Sequence, residues 1–242
     1  YFIIMILFSS GCFLKFSKDV AIGIILFSIF IYFGLTNMPW LPLILIYGLI
    51  GFKIGGLKLS LTIVASFLFI TFTGVLPQAL LSIYLCGIAV IISFILGSSL
   101  GIWAAHNDKV SAFMRPINDT MQTMPSFVIL IPFVMFFGIG EFTALLAIIA
   151  YAFVPAMRYT EHGLRNLPET VIEAARMIGC SQTQLLWKVK IPLAMPVIML
   201  GLNQTIMFGL AMLVIAALVG TTGLGQLIYI GLSKADFGTG MI

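Results

Sequence analysis

Residues 78–104 run for 27 positions without one charged side chain, and that run limits the fold more than any motif does. As an α-helix it would be about 40 Å long, enough to cross a hydrocarbon core of about 30 Å. Further apolar runs occupy roughly 1–14, 20–36, 39–52, 59–76, 126–140, 142–157 and 195–219. Only 8% of the chain is charged and 61% is hydrophobic, at a mean hydropathy of +1.18, whereas soluble domains carry about 25% charged residues. These features predict an all-α, polytopic transmembrane helical bundle with about eight apolar spans. Some runs are shorter than the roughly 20 residues a span needs, so their helices extend into the flanks or are shielded by neighbours.

Both ends read as truncated: Tyr1 lies inside an apolar run, and KADFGTGMI ends at Ile242 where a further span is expected to begin. No initiator Met and no cleavable signal is identified, so targeting rests on the spans. Cys12, Cys86 and Cys180 are widely spaced, and two lie in apolar runs, which fits small packing residues better than a disulfide framework or a zinc site.

One interval breaks the apolar pattern, PETVIEAARMIGCSQTQLLWKVKIPLAMP at 168–196. If it faces the cytoplasm, alternating the spans puts Lys15, Lys18, Lys53, Lys58, Lys109, Arg115, Arg158, Arg165, Arg176, Lys188 and Lys190 on that side. Only Lys234 is left outside, so eleven of the twelve basic residues obey the positive-inside rule. The net charge of +4 therefore reports orientation in a membrane, and it gives no case for nucleic-acid binding. Two cytoplasmic segments follow, a short one at 105–125 that carries Pro116 and Pro125, and the polar island at about 158–194. The connections at 74–78 and 138–141, the latter ending in Glu141, are minimal external turns.

Within the island, Thr170 and Glu173 have capping-box spacing, which predicts a helix starting near Val171. Gly179 is the residue best able to take the left-handed C-cap that ends it. Ser181 and Gln184 repeat the capping signature ahead of a second helix, QLLWKVK, that meets Pro192. Ala174 and Ala175, flanked by Glu173 and Arg176, put methyl groups where bulky side chains would hold a partner off. Residue by residue, plain capping and helix propensity account for them equally well.

EAARMIGC, with Gly179 four residues after Ala175 and VKIP at 189–192, resembles the cytoplasmic signature of ABC importer membrane subunits. Val189 and Ile191 are conservative departures from its closing Ile-x-Leu-Pro pattern. GSSLGIWAA at 97–105, MRPINDTMQTMPSFVILIPFVMFFGIG at 114–140 and the stretch 184–226 are similar to the permease of glycine betaine/proline importers. The resemblance covers roughly 39–242, an importer transmembrane domain with its coupling loop at 158–194, and leaves 1–38 as an extra N-terminal membrane segment.

The resemblance implies a division of labour in the bacterial inner membrane. Two permease chains, as a homodimer or as halves of a fused pseudo-dimer, form the pathway, and an external binding protein delivers the solute. Two cytoplasmic ABC ATPase subunits carry the ATP and Mg, while the permease itself binds no cofactor. The solute would be a compatible one such as glycine betaine or proline, with choline, carnitine and trimethylamine N-oxide in the same class. Glu173, Ala174, Ala175, Arg176, Gly179 and Pro192 would couple the ATPase to the spans. Gly220, Gly223 and Gly225 would let a short or re-entrant helix bend near the external gate.

The residues agree that the motor lies elsewhere. There is no Gly-Lys dipeptide, hence no P-loop, and His106 and His162 both fall in loops, leaving no haem-ligand pair within the membrane. An enzyme has no chemistry here to stand on. The rival reading is an ion-coupled secondary transporter of small solutes, which would often place charge at mid-membrane, where the spans carry none. Asn203, Gln204 and Thr205, near the start of the span after the island, either line the pathway or gate or make interhelical hydrogen bonds. Met195, Met199, Met207 and Met212 read as adaptable packing. Gly97 and Gly101 have the GxxxG spacing of closely packed helices.

Overall fold

The computed structural model describes residues 40–235 together with Gly238. The expected extra segment at 1–38, with Cys12, Lys15 and Lys18, and the expected span after residue 235 lie outside the described residues. The described chain is helical and forms two compact units, residues 40–85 with 222–235, and residues 86–221.

In the first unit, α1 (Trp40–Phe72) breaks at Gly55 and Gly56, where Gly56 has φ +69°. Only glycine takes that backbone conformation without strain. The chain doubles back there: Ser60 Oγ donates to Gly48 O at 2.9 Å, and the rings of Tyr47 and Phe67 stack at 5.2 Å. A Cβ on Gly51 would lie 2.6 Å from Ile63 Cδ1. The runs at 39–52 and 59–76 are thus the two arms of a hairpin with Lys53 and Lys58 at its turn. Each arm, at about 22–24 Å, is shorter than a full span. α2 (Leu76–His106) follows the Gly74 turn, and the unit closes with α8 (Leu224–Ser233).

The second unit holds the remainder of α2 with α3 (Asp108–Thr123), α4 (Ser126–Phe137), α5 (Glu141–Arg165), α6 (Glu169–Met177) and α7 (Gln182–Val219). α5 and α7 form its central pair. Small residues set the spacing. A Cβ on Gly201 would meet Tyr159 Cβ at 2.7 Å, and one on Gly97 would meet Ala156 Cβ and Phe153 O at 2.6 Å. A Cβ on Gly101 would sit 2.6 Å from Met157 O, so the GxxxG pair seats α2 directly on the backbone of α5. Ala144, Ala147, Ala152, Ala156, Ala194 and Ala216 are fully buried along the same seams.

Two features depart from the sequence expectations. The segment 105–125 holds a 16-residue amphipathic helix, α3, capped by the Asn107 side chain. Pro116 is tolerated inside it because Pro116 and Ala112, whose carbonyl loses a donor, both lie on the exposed face. Met124, held extended before Pro125 at ψ 135°, then turns the chain by 102° into α4. The span count also changes. Among the described residues α2, α5 and α7 are each long and apolar enough to cross a membrane; the folded α1 makes a fourth only if its two arms are counted as one helix, and α3 with α4 a fifth if that bent pair is one span. The run 126–140 yields only the 12-residue α4.

Candidate functional site

The polar island folds around α6. Pro168 stands at its N-cap position without a side-chain cap bond, and the helix begins at Glu169. The capping box expected at Thr170 and Glu173 is therefore not formed. Pro168 already fixes the entry two residues earlier, and Val171 N–H donates to its carbonyl at 3.2 Å. Glu169 in the first turn and Arg176 in the last complement the helix dipole.

The predicted C-cap is present in full. Gly179 has φ +86°, its N–H donates to Arg176 O at 2.9 Å, and Cys180 N–H donates to Ala175 O at 3.3 Å, which is a Schellman motif. Two residues on, Ser181 and Gln184 make the reciprocal capping box, with Gln184 N–H to Ser181 Oγ at 3.3 Å and Ser181 N–H to Gln184 Oε1 at 3.0 Å. QLLWKVK does not form a separate helix ending at Pro192. Leu185–Lys190 form a wide π turn that runs straight into the rest of α7. The wide turn makes room for the Pro192 ring, with Ile191 N–H reaching five residues back to Leu186 O.

α6 packs on this π turn, where Ala175 and Leu185 are buried. Glu173, Ala174, Arg176 and Gly179 are exposed, as is Pro192. The exposed apolar side chains were not foreseen. Met177 is 89% and Ile178 84% accessible at the tip of the peg, and Trp187 stands 63% accessible nearby. Large apolar groups are rarely held that far out, at the end of a helix closed by a Schellman motif, unless something covers them.

Beside the island, α3 lies along the last turns of α5, and the two line an open polar cavity of about 740 Å³. Arg158 pairs with Asp119 there. Glu161, 8% exposed, accepts from Ser111 Oγ at 2.5 Å and from Arg165 Nε at 3.0 Å. Arg165 also reaches Asp108 Oδ1 at 2.8 Å and Ala104 O at 2.7 Å. Sequence reasoning put Arg158, Glu161 and Arg165 in a loop, whereas α5 runs on to Arg165 and holds them in its last two turns. The i, i+4 spacing of Glu161 and Arg165 was the signal available for this.

The structure places the remaining candidates separately. Asn203, Gln204 and Thr205 lie near the middle of α7, and they point three ways: Thr205 is buried with its hydroxyl on Gly201 O at 2.8 Å, Gln204 is half-buried and Asn203 is exposed. In the second unit Gly220, at φ +78°, ends α7. In the first, Gly223 precedes α8 with no room for a side chain, since a Cβ would lie 2.5 Å from Ser82 Oγ, and Leu224 N–H donates to that oxygen at 2.8 Å. Gly225 is buried in the first turn of α8.

A family model described as "Binding-protein-dependent transport system inner membrane component" matches residues 97–242. The chain is 39% identical over 173 residues to the glycine betaine/proline betaine transport system permease protein ProW of Escherichia coli, covering 72% of this chain and 49% of that protein. It is 44% identical over 166 residues to the trimethylamine N-oxide transport system permease protein TmoV of Pelagibacter ubique, covering 69% and 23%. With the glycine betaine transport system permease protein OpuAB of Bacillus subtilis it shares 36% identity over 192 residues, covering 79% and 68%. The chain thus spans about half or less of the length of the first two. Among solved structures, an inward-facing conformation of the MetNI methionine ABC transporter matches with a TM-score of 0.60 at 21% identity, covering 65% of this chain and 79% of that one.

Proposed function

The chain belongs to the family of binding-protein-dependent transport system inner membrane components, and from that premise we propose that it is the translocation subunit of an ATP-driven osmolyte importer. Its solute is a small quaternary ammonium or related compatible solute, the class named for the relatives above. It works beside a second permease copy and receives the solute from an external binding protein. Two ABC ATPase subunits on the cytoplasmic side bind and hydrolyse ATP with Mg. The coupling element is α6 with its caps, Glu173 to Gly179, docked in a groove of the ATPase.

The observation that carries this reading is the exposed apolar tip on a stiff helix. Swinging a two-state transporter decisively from one side to the other takes about 5.5 kcal/mol of differential binding, and a flexible loop would dissipate it. The Schellman motif below α6 and the capping box after it hold the tip in one orientation. Burying Met177 and Ile178 in the partner supplies about 1.5–3 kcal/mol each. A Met177→Ser, Ile178→Ser permease should therefore bind its ATPase at least about tenfold more weakly, read as the concentration needed for half-maximal ATPase recruitment to permease vesicles. Its thermal stability should match the parent, because both side chains are already in water.

Uptake by vesicles carrying the full-length permease, its ATPase and its binding protein tests the whole assignment. With ATP supplied and ion gradients collapsed, solute should accumulate. Accumulation that follows an ion gradient and ignores ATP would replace this function with a secondary transporter.

A further inference from the structure

The cluster at the end of α5 joins three helices through one side chain. Arg165 is the last residue of α5, and only Asn166, Leu167 and Pro168 separate it from the first residue of α6. Its guanidinium donates through Nη2 to Ala104 O in the last turn of α2, pairs through Nη1 with Asp108 at the start of α3, and holds Glu161 of its own helix through Nε. Glu161 in turn accepts from Ser111 of α3. The planar fork of an arginine serves three acceptors in three directions, which the single ammonium of a lysine does not.

We propose that Arg165 is the positioning residue that passes movement of the α6 peg to α2 and α3. The inference rests on the functional reading above, because it needs a peg that is moved from outside the chain. The connector from α6 is three residues long, so a displaced peg carries the end of α5 with it. What α5 then moves depends on what is fastened to it, and α3 is fastened twice, at Asp108 and Ser111 by the Arg165 and Glu161 pair and at Asp119 by Arg158. α2 packs on α5 at Gly97 and Gly101, and Arg165 ties its last turn at Ala104. Of these links, only Arg165 spans all three helices. Removing it leaves the peg docked and the ATPase working, with the force no longer delivered through Ala104 to the last turn of α2 or through Asp108 to the first residue of α3.

The test is the ratio of solute imported to ATP hydrolysed by the full-length permease, assembled with its ATPase and binding protein in vesicles. Arg165→Gln should lower that ratio by about fivefold or more, while the ATPase still binds with parental affinity. Because it strands the buried Glu161, a second variant, Glu161→Gln with Arg165→Gln, removes both charges and should fold like the parent yet stay uncoupled. Arg165→Lys should recover only part of the ratio. A parental ratio in the double variant overturns the proposal. If neither Arg165 variant assembles, Asp108→Asn decides: its carboxylate is 90% exposed, so the fold is safe, and an unchanged ratio there also overturns the proposal. A parent complex that hydrolyses ATP without importing solute would instead sink the importer reading, and the two failures are told apart by that control.

Discussion

A permease carrying Gly179→Val should insert, fold and reach the membrane in normal amounts, yet import at least about tenfold less solute per ATP hydrolysed than the parent. Gly179 sits at φ +86° with nothing within 4 Å of where a Cβ would be built. The substitution therefore creates no clash, and its whole effect is backbone strain. A β-branched residue forced into the left-handed region costs about 1–3 kcal/mol. The turn escapes that cost by giving up the bonds from Gly179 N–H to Arg176 O and from Cys180 N–H to Ala175 O. The peg then loses its fixed orientation while the membrane helices are untouched. Replacement with Asn, which tolerates left-handed backbone, should be nearly silent, and Ala should fall between. Measuring import and ATP hydrolysis together across the three variants checks the order Asn, Ala, Val. An effect that followed side-chain size rather than backbone tolerance would point to direct contact in place of stiffness.

The largest effect on stability should come from the seam between α2 and α5. Gly101→Ala places a methyl 2.6 Å from Met157 O, and Gly97→Ala places one 2.6 Å from Phe153 O. Both obstacles are backbone carbonyls of a helix packed on its other side against α7, so neither yields the way a flexible side-chain end would. Overpacking of this kind costs about 1–3 kcal/mol per site, and Leu at both sites should abolish the fold. Thermal unfolding of the purified permease in detergent should show a lower midpoint for either alanine variant and no cooperative transition for the double leucine variant. Midpoints equal to the parent would mean that the two helices do not approach as described.

What could be read in advance was local. The Gly179 cap and the Ser181–Gln184 box depend on residues within a few positions of each other, and both formed as their spacing predicts. The Gly97–Gly101 spacing announced a close approach, though not that α5 was the partner. Thr170 and Glu173 misled because a proline two residues earlier had already set the helix entry. The segment 105–125, with Pro116 and Pro125, reads in sequence only as a short cytoplasmic connection. Only the burial of Ser111 and Asn118 on one side of α3, with Pro116 on the other, shows how a helix accommodates the first proline and bends after the last residue before the second. The π turn at Leu185–Lys190 follows from fitting Pro192 into a continuing helix, and no apolar period signals it. The Arg165 cluster was out of reach for a different reason: Ser111 and Glu161 stand fifty positions apart, and Ala104 and Arg165 sixty-one. Such partners appear only once α3 is laid along α5.

Membership of the family and the helical bundle rest on the match over residues 97–242 and on the fold, while the mechanical role of α6 rests on its exposed tip. A photo-crosslinking amino acid placed at Ile178 in the assembled, full-length transporter addresses that role most directly. The expected result is a product between permease and ATPase, formed with and without nucleotide and lost when the ATPase is omitted. Crosslinking of Ile178 to lipid or to the external binding protein, with the ATPase present and active, would contradict it.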